Sequence, residues 1–358
     1  MARALELAAQ GRYSTQPNPR VGCVIVKNAA VVGEGYHRRA GEPHAEVIAL
    51  KAAGERARGA ELYVSLEPCV HHGRTPPCTE ALVAAGVKRV VAAMEDPNPK
   101  VAGKGLQALR QAGIETDLGL LEGAAEDLNR GFVSRMRRGR PWLTLKLAMS
   151  LDGRSALASG ESRWITGPKA RADVHRLRAE AGAVLTSVNT VLADDPELTV
   201  REFRSAYPRV PDRIVLDTQL KSPPDAKVWA TGARRIALCV RPPADRLDAL
   251  RAAGVEVVLA GTTPNGRVDL ASALATLGGM EINEVLAECG PVLAGALLQA
   301  NMVDEMVLYV APSLLGHEGR ALALLPGIGE LTQRLRWEFA DVTTLGPDLR
   351  LTLRPEAG

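Results

Sequence analysis

The sequence predicts two α/β units in one chain, and three observations carry this prediction. At 358 residues the chain is longer than one ordinary hydrophobic core supports. Strand-like apolar runs alternate with helical stretches in two separate series. Between the series lies Arg135–Pro141, a short basic segment with a glycine and a proline, which is typical of a solvated linker. We therefore expect domains at residues 1–139 and 140–358.

The first series begins with an amphipathic helix at the N-terminus. Val21–Val26 and Ala30–Gly35 flank Lys27-Asn28 as the strands of a hairpin. Helices and strands then alternate, as judged from apolar periodicity and from start and stop signals. They are expected as a helix at His44–Arg56, a strand at Glu61–Leu66, a helix at Thr79–Ala85, a strand at Val87–Met94, a helix at Leu106–Ala112, a strand at Ile114–Leu118 and a helix at Glu122–Met136.

The second series begins with a strand at Trp142–Met149. Thr166-Gly-Pro168 then supplies a cap and an early proline for a helix that runs through Arg178 and ends by Gly182. Helical stretches separate the strand patterns that follow, which favours a mostly parallel sheet. These strands are expected at Ala183–Thr186, Arg213–Leu216, Arg235–Val240, Val255–Leu259, Glu284–Ala287 and Glu305–Val310.

Composition narrows the classes of function. A net charge of +3 and an aromatic content of 3% argue against a nucleic-acid-binding protein, which needs a basic surface or stacking side chains. The apolar runs are too short to span a membrane, and the N-terminus lacks the apolar region of a signal peptide. We therefore expect a cytoplasmic protein with neither membrane nor nucleic acid as a partner.

The five cysteines indicate metal binding more than disulfides, because the cytoplasm keeps thiols reduced. Cys23, Cys239 and Cys289 lie in strand contexts and are expected to pack in hydrophobic cores. Cys69 and Cys78 differ, since they accompany a histidine motif.

The motif is His44-Ala-Glu46, followed by Pro68-Cys69 and Cys78. One imidazole and two thiolates favour Zn²⁺, and three protein ligands leave a fourth position for water. Zinc lowers the pKa of bound water to about 7, and Glu46 is placed to move its proton. This is the layout of zinc deaminases that act on nucleobase-like rings. A structural zinc site, with His71 or His72 as fourth ligand, stays open as an alternative in which Glu46 has no role.

The segment from Glu67 to Cys78, Glu-Pro-Cys-Val-His-His-Gly-Arg-Thr-Pro-Pro-Cys, is specific. With His44-Ala-Glu46 and Pro17-Asn-Pro-Arg-Val-Gly22, it resembles the deaminase half of the bifunctional riboflavin-biosynthesis deaminase/reductase family. The long loop between the cysteines distinguishes this family from tRNA adenosine and cytidine deaminases. The resemblance implies a cytidine-deaminase-like α/β/α domain that deaminates 2,5-diamino-6-(ribosylamino)-4(3H)-pyrimidinone 5′-phosphate. It implies His44, Cys69 and Cys78 as zinc ligands, Glu46 as the catalytic residue, and Asn18, His71 and Arg74 as substrate contacts.

In the second half, Glu288-Cys-Gly290-Pro-Val-Leu-Ala-Gly295-Ala296 predicts a glycine-bearing turn between a strand and a helix. Such a turn lets phosphate approach backbone N–H groups, although it also serves simply to pack a helix close to a sheet. No G-x-G-x-x-G follows the first strand, so a standard Rossmann domain is not expected.

Three segments, Leu145–Gly153, Ser162–Gly167 and Thr190–Arg201, resemble the reductase half of the same family, which has a dihydrofolate-reductase-like α/β fold. The resemblance implies hydride transfer from NADPH that converts the ribosyl group to a ribityl chain, and a homo-oligomer formed through this half. It implies an NADPH site at Ala148, Trp164, Thr190, Asp194, Thr218, Gly290, Pro291, Val292, Leu293, Ala294, Gly295 and Ala296. It implies substrate contacts at Ser162, Arg178, Leu198, Arg201 and Glu288.

Two other functions stay open from the residues alone. One is a zinc deaminase of free or RNA-borne bases, whose second half is a non-catalytic binding module. The other is a zinc-stabilised scaffold without catalysis, for which Glu46 would be superfluous.

Overall fold

The computed structural model describes residues 1–70, 76–206, 209–230 and 233–356. The chain divides into two compact units, Met1–Arg140 with Ser205–Arg209, and Pro141–Arg204 with Val210–Gly358. No helix within the described ranges is long and apolar enough to cross a lipid bilayer.

The first unit alternates helices and strands. In chain order they are α1 (Ala2–Ala9), β1 (Gly22–Lys27), β2 (Ala30–Tyr36), α2 (Ala45–Ala53, followed by a 3₁₀ turn at Gly54–Ala57), β3 (Glu61–Val64), α3 (Cys78–Ala85), β4 (Arg89–Ala92), α4 (Lys104–Gln111), β5 (Glu115–Leu118), α5 (Glu122–Leu128) and α6 (Arg130–Arg138).

Among the described residues, the five strands form one sheet in the order β2-β1-β3-β4-β5. Strand β1 is antiparallel to β2 and β3, whereas β3, β4 and β5 are parallel. The predicted hairpin is confirmed, but its turn lies one residue later than expected, because Lys27 pairs with Ala30 as the last residue of β1. Its turn residues Asn28 and Ala29 have φ of 50° and 63°, the conformation that a tight two-residue hairpin turn requires. Ile25, Leu62 and Val90 are fully buried in the core between the sheet and the helices.

Two expectations for the end of this unit are wrong. Arg135–Arg138 is not a linker but the last turn of α6, where positive side chains interact favourably with the helix dipole. The helical stretch from Glu122 is broken at Asn129, whose side chain accepts from Arg20 N at 2.7 Å and donates to Arg20 O at 2.9 Å. This buried tertiary contact has no counterpart in the local sequence pattern.

The second unit also alternates helices and strands. In chain order they are β6 (Trp142–Ser150), β7 (Arg154–Ala156), α7 (Pro168–Glu180), β8 (Ala183–Ser187), α8 (Val188–Asp194), β9 (Asp212–Leu216), β10 (Arg235–Cys239), α9 (Ala244–Ala252), β11 (Glu256–Leu259), α10 (Leu270–Gly279), β12 (Glu284–Glu288), α11 (Pro291–Gln299), β13 (Glu305–Ala311), β14 (Arg320–Ala321), β15 (Trp337–Leu345) and β16 (Asp348–Pro355).

Within the described part of this unit, nine strands form a sheet in the order β11-β10-β9-β8-β12-β6-β13-β16-β15, and β7 pairs with β14. The strands from β11 to β13 are parallel, and the central strands β8, β9 and β12 are buried on both faces. Leu185 and Ile214 pack in one core, whereas their neighbours Val184 and Val215 pack in another. Alternate residues of a strand therefore supply two layers, as in a sheet covered by helices on both sides.

The antiparallel hairpin of β15 and β16 adds an edge that the sequence pattern did not predict. Residues Glu338–Val342 are all exposed, so β15 lacks the alternation of apolar and polar residues that identifies a half-buried strand.

The cysteines outside the motif lie where expected. Cys23 and Cys239 are fully buried in the cores of their units, and Cys289 packs half-buried against a core.

Candidate functional site

Three elements of the first unit bring the metal-ligand motif together. His44 is the N-cap of α2, Cys78 is the first residue of α3, and Cys69 lies in the loop after β3. Nδ1 of His44 is 3.2 Å from Sγ of Cys78 and 3.5 Å from Sγ of Cys69, and the three ligand atoms lie within 4.8 Å of one another. Ligands about 2.0–2.3 Å from a tetrahedral Zn²⁺ stand roughly 3.5 Å apart, so this spacing fits zinc.

The thiol of Cys69 is prepared for metal binding by its surroundings. A hydrogen bond with the Cys78 thiol, aided by the His44 ring and by the Cys78 backbone N–H at 3.3 Å, lowers the pKa of Cys69 to about 4. The donor N–H belongs to the first turn of α3, where the helix dipole also favours a thiolate. The same hydrogen bond raises the pKa of the Cys78 thiol, so zinc binding, which needs both sulfurs as thiolates, displaces the proton that the pair shares.

Glu46 is the buried carboxylate of this site. It lies in the first turn of α2, is 3% exposed, and burial raises the pKa of its carboxyl. Its Oε2 atom is buried and has no hydrogen-bond partner among the described residues. A buried oxygen without a partner is unfavourable, and an absent water or ion commonly explains it. The three ligand atoms fit zinc, and an unpartnered carboxylate oxygen lies beside them. Together these two observations indicate a catalytic rather than a structural metal site.

His37 also belongs to this site, although no motif in the sequence indicated it. Its Nδ1 lies 3.2 Å from Pro43 O, its Nε2 lies 3.1 Å from Nδ2 of Asn18, and its ring centroid is 5.3 Å from that of His44. Because a carbonyl can only accept, Nδ1 carries the proton and Nε2 accepts from the Asn18 amide. Burial lowers the pKa of His37, so the ring stays neutral. The one signal in the sequence that could have pointed to His37 is that the chain has only six histidines, so each is a candidate for a functional role.

Other expected residues of this site cannot be placed. His71 and Arg74 lie outside the described residues, and so does His72 of the structural-zinc alternative.

In the second unit, a cavity of about 710 Å³ is lined by Thr218 and by Val292, Leu293 and Ala296 of α11. Its volume falls in the range of about 300–1,000 Å³ typical of ligand pockets. Lys221 and Arg267 also line it, together with the carboxylate of Asp217, so the charged residues of its lining have a net positive charge.

Helix α11 begins beside this cavity. Gly290 is its N-cap, and the Gly290 N–H donates to Oγ1 of Thr190 at 3.3 Å. The helix has no side-chain cap, so the N–H groups of Val292 and Leu293 have no partner within the helix. Such groups attract phosphate.

The next residues of the glycine-bearing segment face the protein interior. Ala294 and Gly295 are buried, and a Cβ on Gly295 would lie 1.8 Å from Leu324 O. Gly295 is therefore required by close packing against the backbone at Leu324.

Of the expected substrate residues, two pair with each other. Nε and Nη2 of Arg178 donate to the two carboxylate oxygens of Glu288 at 2.5 and 2.9 Å, and Nζ of Lys146 lies 3.7 Å from Oε2 of Glu288. Burial alone would raise the pKa of Glu288, but the charges of Arg178 and Lys146 outweigh it and lower that pKa to about 2.

The remaining expected residues surround α7 and α8. Nη1 of Arg178 donates to Thr199 O at 3.0 Å, which ties α7 to the segment holding Leu198 and Arg201. Leu198 is buried with a φ of 52°, and Arg201 pairs with Glu197 at the surface. The others are half-buried Ala148 on β6, half-buried Ser162, exposed Asp194 at the end of α8, and Trp164, which is 70% exposed with Arg171 over its ring.

Two family models match the chain. The model of the RibD C-terminal domain matches residues 141–351. The model of the cytidine and deoxycytidylate deaminase zinc-binding region matches residues 1–94.

Curated relatives match over nearly the whole length. The riboflavin biosynthesis protein RibD of Escherichia coli K12 is 52% identical over 99% of this chain and 98% of its own. RibD of Haemophilus influenzae is 47% identical over 99% of this chain and 96% of its own.

Solved structures agree with these matches. Acinetobacter baumannii RibD has a TM-score of 0.93 at 47% identity, covering 99% of this chain and 98% of that one. A Thermotoga maritima protein, named a diaminohydroxyphosphoribosylaminopyrimidine deaminase/5-amino-6-(5-phosphoribosylamino)uracil reductase, has a TM-score of 0.85 at 32% identity, covering 99% and 97%. With its zinc site at His44, Cys69 and Cys78, the chain therefore belongs to the RibD family of bifunctional riboflavin-biosynthesis enzymes, which join a deaminase to a reductase.

Proposed function

We propose that the first unit deaminates 2,5-diamino-6-(ribosylamino)-4(3H)-pyrimidinone 5′-phosphate and that the second unit reduces the ribosyl group of the product with NADPH. The name of the Thermotoga maritima relative supports both substrates. The observation that carries the proposal is the unpartnered, buried Oε2 of Glu46 beside His44, Cys69 and Cys78. A binding module in place of the reductase, or a zinc scaffold, does not agree with relatives that match over both units.

In the first unit, bound zinc supplies a water with a pKa lowered to about 7. Glu46 accepts a proton at Oε2 and returns it to the departing amine, so that water is consumed and ammonia is released. His37 orients the Asn18 amide by accepting from its nitrogen, which leaves Oδ1 of Asn18 available to an N–H of the pyrimidine. His71 and Arg74 are proposed as further substrate contacts by resemblance.

In the second unit, the proposed site of NADPH is the cavity at the start of α11, which is supported by its volume and by the helix N-terminus beside it. We assign the NADPH phosphates to the N–H groups of Val292 and Leu293, which have no partner within the helix, and to the backbone of the N-cap Gly290, whose own N–H is held by Thr190. Thr218, Ala296 and the charges of Lys221 and Arg267 line the same cavity. Pro291 lacks an N–H and shapes the first turn, whereas Ala294 and Gly295 support it from the interior.

The remaining contacts follow from resemblance and from their placement. Thr190 joins the NADPH site through its bond with Gly290, and Ala148, Trp164 and Asp194 are proposed to extend that site. The phosphorylated ribosyl substrate is assigned to Ser162, Arg178, Leu198, Arg201 and Glu288. The Arg178 fork is occupied by Glu288 and Thr199 O, so the substrate phosphate is assigned to exposed Arg201, whose guanidinium can bind an oxygen pair.

A reducing compartment suits this chain, since all five cysteines are free and two are metal ligands. We accordingly propose a cytoplasmic location. Self-association through the second unit is proposed as well, and the edge strand β15 supports it because Phe339 and Val342 are 66% and 58% exposed. Light scattering of the intact protein tests this point.

The variant Glu46→Gln tests the assignment of the two activities. It is expected to keep zinc, to lose ammonia release by about 10²–10⁴-fold, and to keep NADPH-dependent reduction of the deaminated substrate. Unchanged ammonia release would contradict the role of Glu46. Loss of both activities would contradict their assignment to separate units.

A further inference from the structure

Glu67 lies two residues before the zinc ligand Cys69 and has no part in the proposed deamination step. Its side chain is 3% exposed. Oε2 accepts the backbone N–H groups of Asp96 at 3.1 Å and Gly103 at 2.9 Å, and Oε1 accepts that of Leu106 at 3.0 Å. A buried carboxylate that accepts three main-chain donors orders the segments to which they belong.

Those donors come from one loop and the helix after it. Asp96 lies in the first half of the loop between β4 and α4 and Gly103 is its last residue, so Oε2 joins the segment 96–103 at both of its ends. Gly103 is the N-cap of α4 and offers no side chain, and Leu106 lies in the first turn. Glu67 therefore caps α4 from a distant part of the chain, where a negative charge also suits the helix dipole.

Helix α4 also packs closely against the backbone next to Cys69. A Cβ on Gly105 would lie 2.1 Å from Pro68 O and 3.0 Å from Oε1 of Glu67, so α4 approaches this backbone as closely as only glycine allows. On the other side, Cys69 O accepts the backbone N–H of Thr79 at 3.2 Å, in the first turn of α3. The zinc ligand is held between the N-terminal turns of two helices.

We propose that Glu67 is a positioning residue for zinc, which holds the Cys69 loop against α4 and so keeps Sγ of Cys69 at its distance from His44 and Cys78. The inference rests on the zinc-dependent deaminase function of this unit. In Glu67→Gln, an amide NH₂ replaces one oxygen and faces backbone N–H donors, although the shape is kept.

The test compares zinc release from the holoenzyme to the chelator 4-(2-pyridylazo)resorcinol. Glu67→Gln is expected to release zinc about 10- to 100-fold faster than the matched control Glu55→Gln, whose carboxylate is exposed on the same unit. Reductase turnover of the same preparations is expected to be equal, and excess zinc is expected to restore ammonia release.

A second pair of variants separates positioning from unfolding. Gly105→Ala inserts a methyl group against Pro68 O and is expected to release zinc faster as well. Its control is Gly123→Ala, which is also at the second position of a helix. Its methyl group meets open space, so the rate of zinc release is expected to stay at the wild-type value. Zinc release from Glu67→Gln within about 2-fold of the Glu55→Gln rate overturns the inference, and so does a parallel loss of both activities. A wild-type protein that holds no zinc would instead contradict the proposed function.

Discussion

Arg178 and Glu288 are joined by a two-pronged ion pair, with Nε to Oε1 at 2.5 Å and Nη2 to Oε2 at 2.9 Å. Arg178 lies on α7 and Glu288 is the last residue of β12, so the pair links a helix to the central sheet. Their side chains are 13% and 10% exposed, and each is the main counter-charge of the other. The two hydrogen bonds fix the positions of the guanidinium and the carboxylate that a bound substrate would contact.

Removal of one partner is expected to destabilise the second unit. Glu288→Gln leaves the buried guanidinium without its counter-charge and should lower the free energy of unfolding by about 3–5 kcal/mol. Urea denaturation followed by tryptophan fluorescence measures this, because all four tryptophans lie in the second unit. The control Glu197→Gln removes the surface partner of Arg201 and should cost about 0–1 kcal/mol. Equal effects of the two variants would contradict the assignment of a buried pair.

Acid is expected to weaken the same pair. The pKa of Glu288 is lowered to about 2 in the folded protein from an ordinary value of 4.5, so the pair contributes fully above pH 4.5. As the pH falls toward 2, the carboxylate takes up a proton, and the pair's contribution of about 3 kcal/mol to the free energy of unfolding is lost. The stability difference between wild type and Glu288→Gln should therefore shrink from pH 5 to pH 3. A difference that stays constant over this interval would show that the carboxylate charge is not the cause.

His37→Phe is expected to impair deamination through Asn18. The variant removes the acceptor at Nε2, so the Asn18 amide loses the partner that orients it, at a cost of about 1–3 kcal/mol or roughly 5- to 150-fold in kcat/KM. The loss in kcat/KM should come mainly from a higher KM for the diaminopyrimidinone. Zinc content and reductase turnover serve as controls, since loss of metal would implicate the nearby His44 ring instead. An unchanged KM would contradict the orienting role.

Gly295→Ala separates a packing role from a cofactor role. A Cβ at this position would lie 1.8 Å from Leu324 O, so we expect a loss of about 1–3 kcal/mol in the stability of the second unit. The matched control Gly279→Ala, in α10, meets open space and should be neutral or slightly stabilising. Affinity for NADPH in the folded variant should change little. A stable variant that binds NADPH weakly would contradict the packing role.

The sequence pattern predicted features whose cause is local. The hairpin of β1 and β2 follows from two strand-like runs around a short polar turn, which was placed within one residue of its position at Asn28 and Ala29. The helix starts at His44 and Cys78 follow from the prolines before them and the periodicity after them. The zinc ligands were identifiable because a His-x-Glu motif and two cysteines have few other uses together.

Features with a tertiary cause were missed. The break at Asn129 depends on the distant backbone of Arg20, and the role of His37 depends on Asn18 and Pro43. The glycine-bearing segment at 290–296 indicated a phosphate site along its length, yet only contact with Leu324 shows that Gly295 serves packing. A periodic pattern reports which face of an element is buried, not which neighbour buries it.

The central claim is that one chain performs deamination and then reduction, and product stoichiometry tests it most directly. Wild-type protein is supplied with the diaminopyrimidinone phosphate, and ammonia and NADPH are measured together. Without NADPH, we expect ammonia release and accumulation of the deaminated ribosylamino compound. With NADPH, we expect oxidation of one NADPH per ammonia and a ribityl product. Ammonia release with no NADPH consumption, or NADPH consumption without prior ammonia release, would contradict the account.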